Sequence, residues 1–195
     1  MSMTEYFTEA IVLDRKESGE ADGLLILYTQ DLGKITAKAK SLRKITSKLN
    51  GHLQPLNLIK VRLIEKNAMP SGRQGFQAVD ALSVNGRGLK KEMAVFAKFL
   101  RVLDFIQEMT FELHPDYRLW TAMKKLFSHD GGKNIEEKII YRGLLKILGF
   151  DPQFADCALC RKKEARFFLK EDHLFFCGNC GLNIWKNRGD GVILI

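Results

Sequence analysis

The sequence lacks the features that mark membrane, secreted and disordered proteins. No apolar run approaches the roughly 18 residues that a membrane-spanning helix needs. The first twelve residues include Glu5 and Glu9, and they lack the basic stretch and apolar run of a signal peptide. The chain has 195 residues, of which 46% are hydrophobic and 28% are charged, as in an ordinary globular protein. We therefore expect a globular protein of the cytoplasm.

The motifs of the common enzyme classes are also missing from the sequence. We find no P-loop, no dinucleotide-binding glycine pattern, no HExxH and no nucleophile elbow. The glycines at positions 72, 75, 86 and 88 do not form a phosphate-binding pattern ahead of a helix. The acidic residues are scattered and do not form an obvious carboxylate pair. The sequence therefore predicts a protein that is not an enzyme.

Acidic residues are scarce in one part of the chain, and the positive charge collects there. The whole chain carries a net charge of +8. Between Lys34 and Arg73, ten basic residues accompany one acidic residue, Glu65, which gives that segment a charge of +9. Each Lys or Arg that meets a phosphate releases condensed counterions, so this excess favours a polyanionic ligand. A solvated basic face is the alternative explanation of the same charge.

Residues 1–85 are predicted to form five strands. These segments are short and rich in β-branched or aromatic residues, and they cover residues 6–15, 24–30, 33–40, 57–66 and 74–84. The turn at residues 31–33 is short enough for a hairpin. A longer segment, 41–56, separates the third strand from the fourth and has room for a helical turn near residues 45–53. Five strands with this insertion match an OB-fold barrel, and an SH3-like barrel is the competing plan.

Alternation along these strands predicts where the basic side chains point. Ile35, Ala37 and Ala39 share one face of the third strand, so the lysines between them share the other. The fourth strand alternates in the same way. We therefore expect rows of cations outside the barrel, and the candidate nucleic-acid-binding residues are Lys34, Lys38, Lys40, Arg43, Lys44, Lys48, Lys60, Arg62 and Arg73. Tyr28 and Phe76 are the nearest candidates for stacking on bases, with burial in the core as the alternative.

From Gly88 onward, apolar residues recur at the spacing of helices. A first helix is predicted to about Thr110, a second has Pro115 near its start, and a third has Asn134 as its N-cap and Gly149 as its stop. The sequence thus predicts an α+β protein of three parts. These are an OB-fold nucleic-acid-binding domain at 1–85, a helical domain at 86–150, and a cysteine-containing element at 151–195 packed on the helical domain.

The only four cysteines are arranged as two CxxC pairs. They are Cys157, Cys160, Cys177 and Cys180, and sixteen residues separate the two pairs. Each CxxC turn can direct two thiolates at one metal ion, and this spacing is typical of a tetrahedral zinc site. The intervening residues 166–170 and 173–176 are predicted as two strands of a hairpin, with His173 exposed. Four thiolates close the coordination sphere, so we expect one structural Zn²⁺ ion in a ribbon-like element and no metal catalysis.

Other uses of two cysteine pairs fit less well. Two disulfides are characteristic of secreted chains, and no secretory signal is present. A thioredoxin-type redox pair needs a CxxC at the start of a helix in a βαβ unit, which the pattern does not predict here. An iron–sulfur cluster also uses four thiolates and stays open as an alternative, although paired CxxC turns flanking a hairpin favour zinc.

Several segments resemble the RecO family of bacterial recombination mediators. Residues 8–13 (TEAIVL) and 17–22 (ESGEAD) resemble the N-terminus of that family, and residues 28–35 (YTQDLGKI) resemble its second and third strands. The stretch from Ala37 to Leu56 resembles its basic loop region. The barrel, the helical part and the CxxC pairs also follow one another in the order found in the family. This ordered set is more specific than any one of its motifs.

The resemblance implies a fold, a function and partners. RecO proteins have an OB fold, a helical domain and a zinc ribbon. They bind single- and double-stranded DNA, anneal complementary strands covered by single-strand binding protein, and help to load the recombinase together with RecR. By resemblance, the OB face would bind DNA and the helical region would bind a protein. RecO chains usually continue with further helices after the second CxxC, whereas this chain ends at Ile195, so a short variant or a truncated chain is expected.

Two other functions stay open from the residues alone. A zinc-ribbon and OB-fold adaptor could bind mainly proteins, such as an acidic peptide tail. An RNA-binding protein without annealing activity is the other alternative, because composition does not separate an RNA-binding OB fold from one that binds DNA.

Overall fold

The computed structural model describes residues 4–66, 75–84, 93–128 and 132–195. Within these ranges the chain forms eight strands, four α-helices and a short 3-10 helix at Gly189–Gly191. It divides into two units, Met1–Lys133 and Asn134–Ile195. The start of the first predicted helix and the candidate residue Arg73 lie outside the described residues.

The first unit begins with a closed barrel of five strands. These are β1 (Glu5–Ser18), β2 (Asp22–Thr29), β3 (Gly33–Ala39), β4 (Leu58–Lys66) and β5 (Gly75–Ser83). They close in the order β1-β2-β3-β5-β4. The pairs are antiparallel except for β3 and β5, which run parallel. This closed barrel, followed by helices and a small second sheet, confirms the predicted α+β class with an N-terminal OB-fold barrel.

Strict alternation explains why the barrel has an apolar interior. Along β3 the buried positions are Gly33, Ile35, Ala37 and Ala39, and every residue between them is only half-buried. The interior is completed by side chains from all five strands, including Val12, Leu25, Leu27, Val61, Leu63 and Phe76. Each such burial contributes about 1.5–3 kcal/mol for a large apolar side chain. The barrel therefore provides a rigid wall whose outer face carries the polar residues.

The segment between β3 and β4 is held against the barrel by two leucines. Leu42 and Leu53 are fully buried and belong to the barrel core. Between them the backbone makes successive tight turns, with the Ser47 amide donating to the Lys44 carbonyl and the Asn50 amide to the Ser47 carbonyl. These are short turns, but the Leu53 amide also donates to the Leu49 carbonyl at 3.0 Å, which closes a single helical turn within the predicted residues 45–53. Because both ends are anchored, the basic residues of this segment are fixed beside the barrel.

Two helices complete the first unit. Helix α1 (Met93–Met109) packs against β1, and helix α2 (Tyr117–Leu126) follows it. Phe99 of α1 meets Phe127 edge to face, with ring centroids 5.5 Å apart. The side chain of Asp116 caps α2 by accepting from the amides of residues 118 and 119. Pro115 therefore precedes the N-cap of this helix.

The second unit contains helix α3 (Glu137–Ile147), strands β6 (Phe167–Leu169) and β7 (Leu174–Phe176), helix α4 (Gly178–Arg188) and strand β8 (Val192–Leu194). The N-cap of α3 is Glu136, so the predicted cap at Asn134 was wrong by two residues. Gly149 follows the helix with a φ of 91°, as expected for a glycine stop. None of the helices in the described ranges has the length and apolarity that a membrane crossing requires.

The predicted cysteine hairpin is part of a larger element. Strand β6 pairs with β7, as expected, but its other edge pairs with β8, which makes a three-stranded antiparallel sheet. His173 lies in the turn before β7 with a φ of 54°, not within a strand. Strand β8 and helix α4 were not predicted, because three-residue strands show no periodicity and α4 buries only Gly181.

Candidate metal centre and nucleic-acid interface

The four cysteines form one cluster. The Sγ atoms of Cys157, Cys160, Cys177 and Cys180 all lie within 4.8 Å of one another, and all four residues are free thiols. The Sγ atoms of Cys160 and Cys177 are 3.6 Å apart. A tetrahedron with Zn–S bonds of about 2.3 Å has sulfur–sulfur edges of roughly 3.8 Å. The donor set and its size therefore fit a tetrahedral metal ion, and these four residues could hold one.

Local backbone geometry brings the two pairs together. In the first pair, the Arg161 amide donates to the Cys157 carbonyl at 2.9 Å and closes a tight turn. In the second pair, Cys177 is the N-cap of α4, and the Gly181 amide donates to the Cys177 carbonyl at 2.8 Å. A Cβ on Gly181 would lie 2.1 Å from the Phe167 ring, so only glycine lets α4 approach β6 this closely.

The second CxxC does begin a helix, which the sequence pattern did not predict. The surrounding sheet is antiparallel, however, and has no βαβ unit. The cysteines of this pair also lie within reach of two further thiols, which a thioredoxin-type site does not have.

Ionisation within the cluster is uneven. Burial opposes ionisation of Cys157, but hydrogen bonds from the amides of Cys160, Cys177 and Leu159 outweigh it and lower its pKa to about 6. The pKa of Cys180 is raised to about 12, first by its hydrogen bond with Cys177 and then by burial. Four thiols at this distance resist ionising together, and a bound dication removes that resistance. The four thiols together could therefore hold a metal ion.

The basic row on β3 divides into a covered part and an exposed part. The ammonium of Lys34 donates to the Gln107 carbonyl at 2.6 Å and also to the Thr110 carbonyl, at the C-terminal end of α1. Burial lowers the pKa of Lys34. The Leu113 amide donates to the Lys34 carbonyl, so the segment after α1 lies along this part of β3. The ammonium of Lys34 is thus hydrogen-bonded to the C-terminal end of α1 and is only partly exposed to solvent.

Exposed cations follow from Lys38 onward. Lys38 pairs with Asp22 at 2.9 Å, and Arg43 pairs with Glu17 at 3.1 Å. The remaining predicted residues of this stretch are exposed and make no ion pair within the described ranges: Lys40, Lys44 and Lys48. We name these five basic residues between Lys38 and Lys48 the barrel patch.

The second predicted row lies on another part of the barrel. Lys60 and Arg62 face outward from β4, and strand β5 separates β4 from β3. Arg62 pairs with Glu5 at 3.7 Å. Lys60 lies opposite Glu9 in the register of β1 and β4, but the carboxylate of Glu9 pairs with Lys124. Glu5 therefore offsets the charge of Arg62, whereas Lys60 is exposed and makes no ion pair within the described ranges. The barrel patch and the basic row on β4 are therefore two separate surfaces.

The comparisons with known proteins agree with this architecture. Residues 1–81 match the family model described as "Recombination protein O N terminal". The chain is 31% identical over 188 residues to the DNA repair protein RecO of Dehalococcoides mccartyi, and the match covers 90% of this chain and 70% of that protein. This chain belongs to the RecO family. The resemblance seen in the sequence is thereby confirmed.

More distant RecO proteins match over the same extent. The DNA repair protein RecO of Caldanaerobacter subterraneus is 26% identical over 186 residues, which cover 92% of this chain and 70% of the relative. That of Bacillus pumilus is 24% identical over 177 residues, which cover 89% and 67%. The RecO family consists of DNA repair and recombination proteins that act as non-catalytic mediators, as predicted.

The candidate stacking residues of this RecO chain lie in its core. Tyr28 is 1% exposed and Phe76 is 2% exposed, so burial, the stated alternative, is correct for both. The exposed aromatic residue on the barrel wall is Phe7, at 74%. Sequence reasoning overlooked it, although alternation in β1 carries the signal: Ala10 and Val12 point inward, so Phe7 points outward.

Proposed function

We propose that this member of the RecO family is a DNA-binding recombination mediator. In this proposal it binds single- and double-stranded DNA, anneals complementary strands coated by single-strand binding protein, and helps to load the recombinase. RecR and single-strand binding protein are the proposed protein partners, and the bacterial nucleoid is the proposed place of action. The observation that carries the proposal is the barrel patch, an exposed set of cations on an OB-fold barrel in a RecO-family chain.

The barrel patch supports phosphate binding on physical grounds. Three of its five cations make no ion pair within the described residues, so a phosphate does not have to displace an acid from them. Anchoring by Leu42 and Leu53 fixes the backbone of the patch before DNA arrives. A pre-ordered surface loses less conformational entropy on binding than a mobile one. We assign DNA binding to residues 1–85 and leave Lys34 out of the contact surface.

We further propose that the four-cysteine cluster holds one structural Zn²⁺ ion. The proposal is supported by the tetrahedral size of the cluster and by its closed set of four thiolates. A bound ion would cross-link the two CxxC turns. The cysteines would hold the sheet of β6, β7 and β8 against α4. Among the described residues, the core cluster that includes the cysteines has six buried members. A core of that size does not hold a fold by itself.

Two binding experiments test the proposal against its alternatives. In a fluorescence anisotropy competition, unlabelled DNA should displace a labelled DNA oligomer more effectively than RNA of the same sequence. Equal or better competition by RNA would favour the RNA-binding alternative. In a pull-down, single-strand binding protein with its acidic tail should be retained, and the protein without the tail should be lost. Retention of that partner without any DNA binding would favour the adaptor.

A further inference from the structure

The second unit carries a concentration of positive charge that the barrel patch does not include. Residues 134–195 contain ten basic and eight acidic residues. Four of the ten basic residues fall within six positions, interrupted by a single acid, Glu164, and all four are exposed: Arg161, Lys162, Lys163 and Arg166. We name these four residues the knuckle patch, since they directly follow the first CxxC pair. The patch holds much of the positive charge of this unit.

The knuckle patch differs from most other basic residues of the unit in having no partner within the described residues. Most of the others are neutralised or hydrogen-bonded nearby: Lys138 by Glu136 at 2.6 Å, Lys146 by Asp151 at 3.6 Å, Arg188 by Asp172 at 3.2 Å, and Arg142 by the Ala165 carbonyl at 3.4 Å. Within the described residues, the side chains of the knuckle patch make no ion pair or hydrogen bond. Their charge is therefore available to a ligand.

The backbone beneath the patch is ordered by the cysteine element. The Cys157 amide donates to the Lys162 carbonyl at 2.9 Å, and the Arg161 amide donates back to the Cys157 carbonyl at 2.9 Å. The Arg166 amide donates to the Phe176 carbonyl at 2.9 Å, which ties the end of the patch to β7. The four cations thus start from fixed backbone positions, and only their side chains must be ordered on binding.

We propose that the knuckle patch is a second contact site for the phosphate backbone of DNA, in addition to the barrel patch. The inference rests on the proposed function. Unpaired exposed cations bind a polyanion by releasing its counterions, and this patch is the clearest set of such residues in the unit. A competing role is charge compensation, because a Zn²⁺ ion with four thiolates carries net negative charge. That role predicts a different experimental outcome, given below.

The test uses the full chain and the triple variant K162Q/K163Q/R166Q. Glutamine keeps a similar stem and removes the charge, whereas Arg161 is left unchanged because its φ of 60° is unfavourable for most other residues. Binding of single-stranded DNA is measured by anisotropy across a range of salt concentrations. The slope of log affinity against log salt is negative, and each lost phosphate contact on a single strand makes it less steep by about 0.7, so the loss of three contacts makes it less steep by about 2.

A matched control removes the same charge from the same unit. The variant K138Q/K146Q/K186Q should keep the slope of the unmodified chain. In the opposite direction, E164Q removes the one acid within the patch and should strengthen binding, which a misfolded protein would not do. A slope that changes equally in the control would overturn the proposal, because net charge alone would then explain the effect.

Two further outcomes separate the possible roles. If K162Q/K163Q/R166Q loses zinc, measured by elemental analysis, but binds DNA as before, the patch compensates the charge of the metal site and the proposal is wrong. If this variant binds normally while K38Q/K40Q/R43Q binds weakly, the knuckle patch is excluded and the proposed function stands. Absence of DNA binding by the unmodified chain would contradict the proposed function itself.

Discussion

The barrel patch leads to a quantitative prediction about salt. The variant K38Q/K40Q/R43Q removes three exposed cations and leaves the buried anchors Leu42 and Leu53 in place. With about 0.7 released counterions per phosphate contact on a single strand, three contacts change the slope of log affinity against log salt by about 2. Between about 50 and 200 mM salt, the affinity ratio of unmodified chain to variant should therefore fall roughly 20-fold.

Fluorescence anisotropy with a labelled single-stranded oligomer measures this ratio at each salt concentration. The control variant R118Q/K124Q/K125Q removes three cations from α2 in the same unit and should keep the slope of the unmodified chain. Circular dichroism should show that both variants keep the barrel fold. Parallel salt plots for the unmodified chain and K38Q/K40Q/R43Q would show that these residues do not contact phosphate.

Three further predictions concern the metal cluster and two charged residues. Removing the metal with a chelator should abolish amide protection in the sheet of β6, β7 and β8 but not in the barrel, as measured by hydrogen exchange; equal loss in both would refute a local role. K34M leaves the Gln107 and Thr110 carbonyls without their donor and should lower the free energy of unfolding by about 1–3 kcal/mol, with unchanged DNA affinity; an unchanged denaturation midpoint would contradict this. D22N removes the acid that pairs with Lys38 and should strengthen DNA binding. Hydrogen bonds from the Ser41 amide and Lys38 lower the pKa of Asp22, so its stabilising contacts persist at neutral pH and are lost only as pH falls through that lowered pKa. Weaker DNA binding by D22N at pH 7 would argue against competition between Asp22 and phosphate for Lys38.

Local patterns in the sequence were enough to predict the barrel and the outward direction of its lysines. Alternation in β3 and β4 is a property of neighbouring residues, and it holds because one side of each strand faces the barrel core. The role of Lys34 could not be predicted in this way. Its partners, Gln107 and Thr110, lie 73 and 76 positions further along the chain, and periodicity does not report such distant contacts.

The cysteine element was likewise predicted only in part from its sequence. The spacing of the pairs predicted one cluster, because a CxxC turn places two thiols side by side whatever surrounds it. The sheet partner β8 and helix α4 were missed. Strand β8 has three residues, too few for a pattern, and α4 is held in place by its contact with β6 at Gly181 more than by an apolar stripe. The basic residues at 161–166 are visible in the sequence, but the larger positive excess at 34–73 indicated the barrel as the binding surface.

Strand annealing tests the central claim, that this chain is a recombination mediator, most directly. Complementary oligomers are coated with single-strand binding protein, and duplex formation is followed by fluorescence with and without the chain. We predict faster annealing than in the uncatalysed control, a clear loss of that acceleration in K38Q/K40Q/R43Q, and its retention in R118Q/K124Q/K125Q. Annealing at the uncatalysed rate in the presence of the folded, metal-loaded chain would contradict the account.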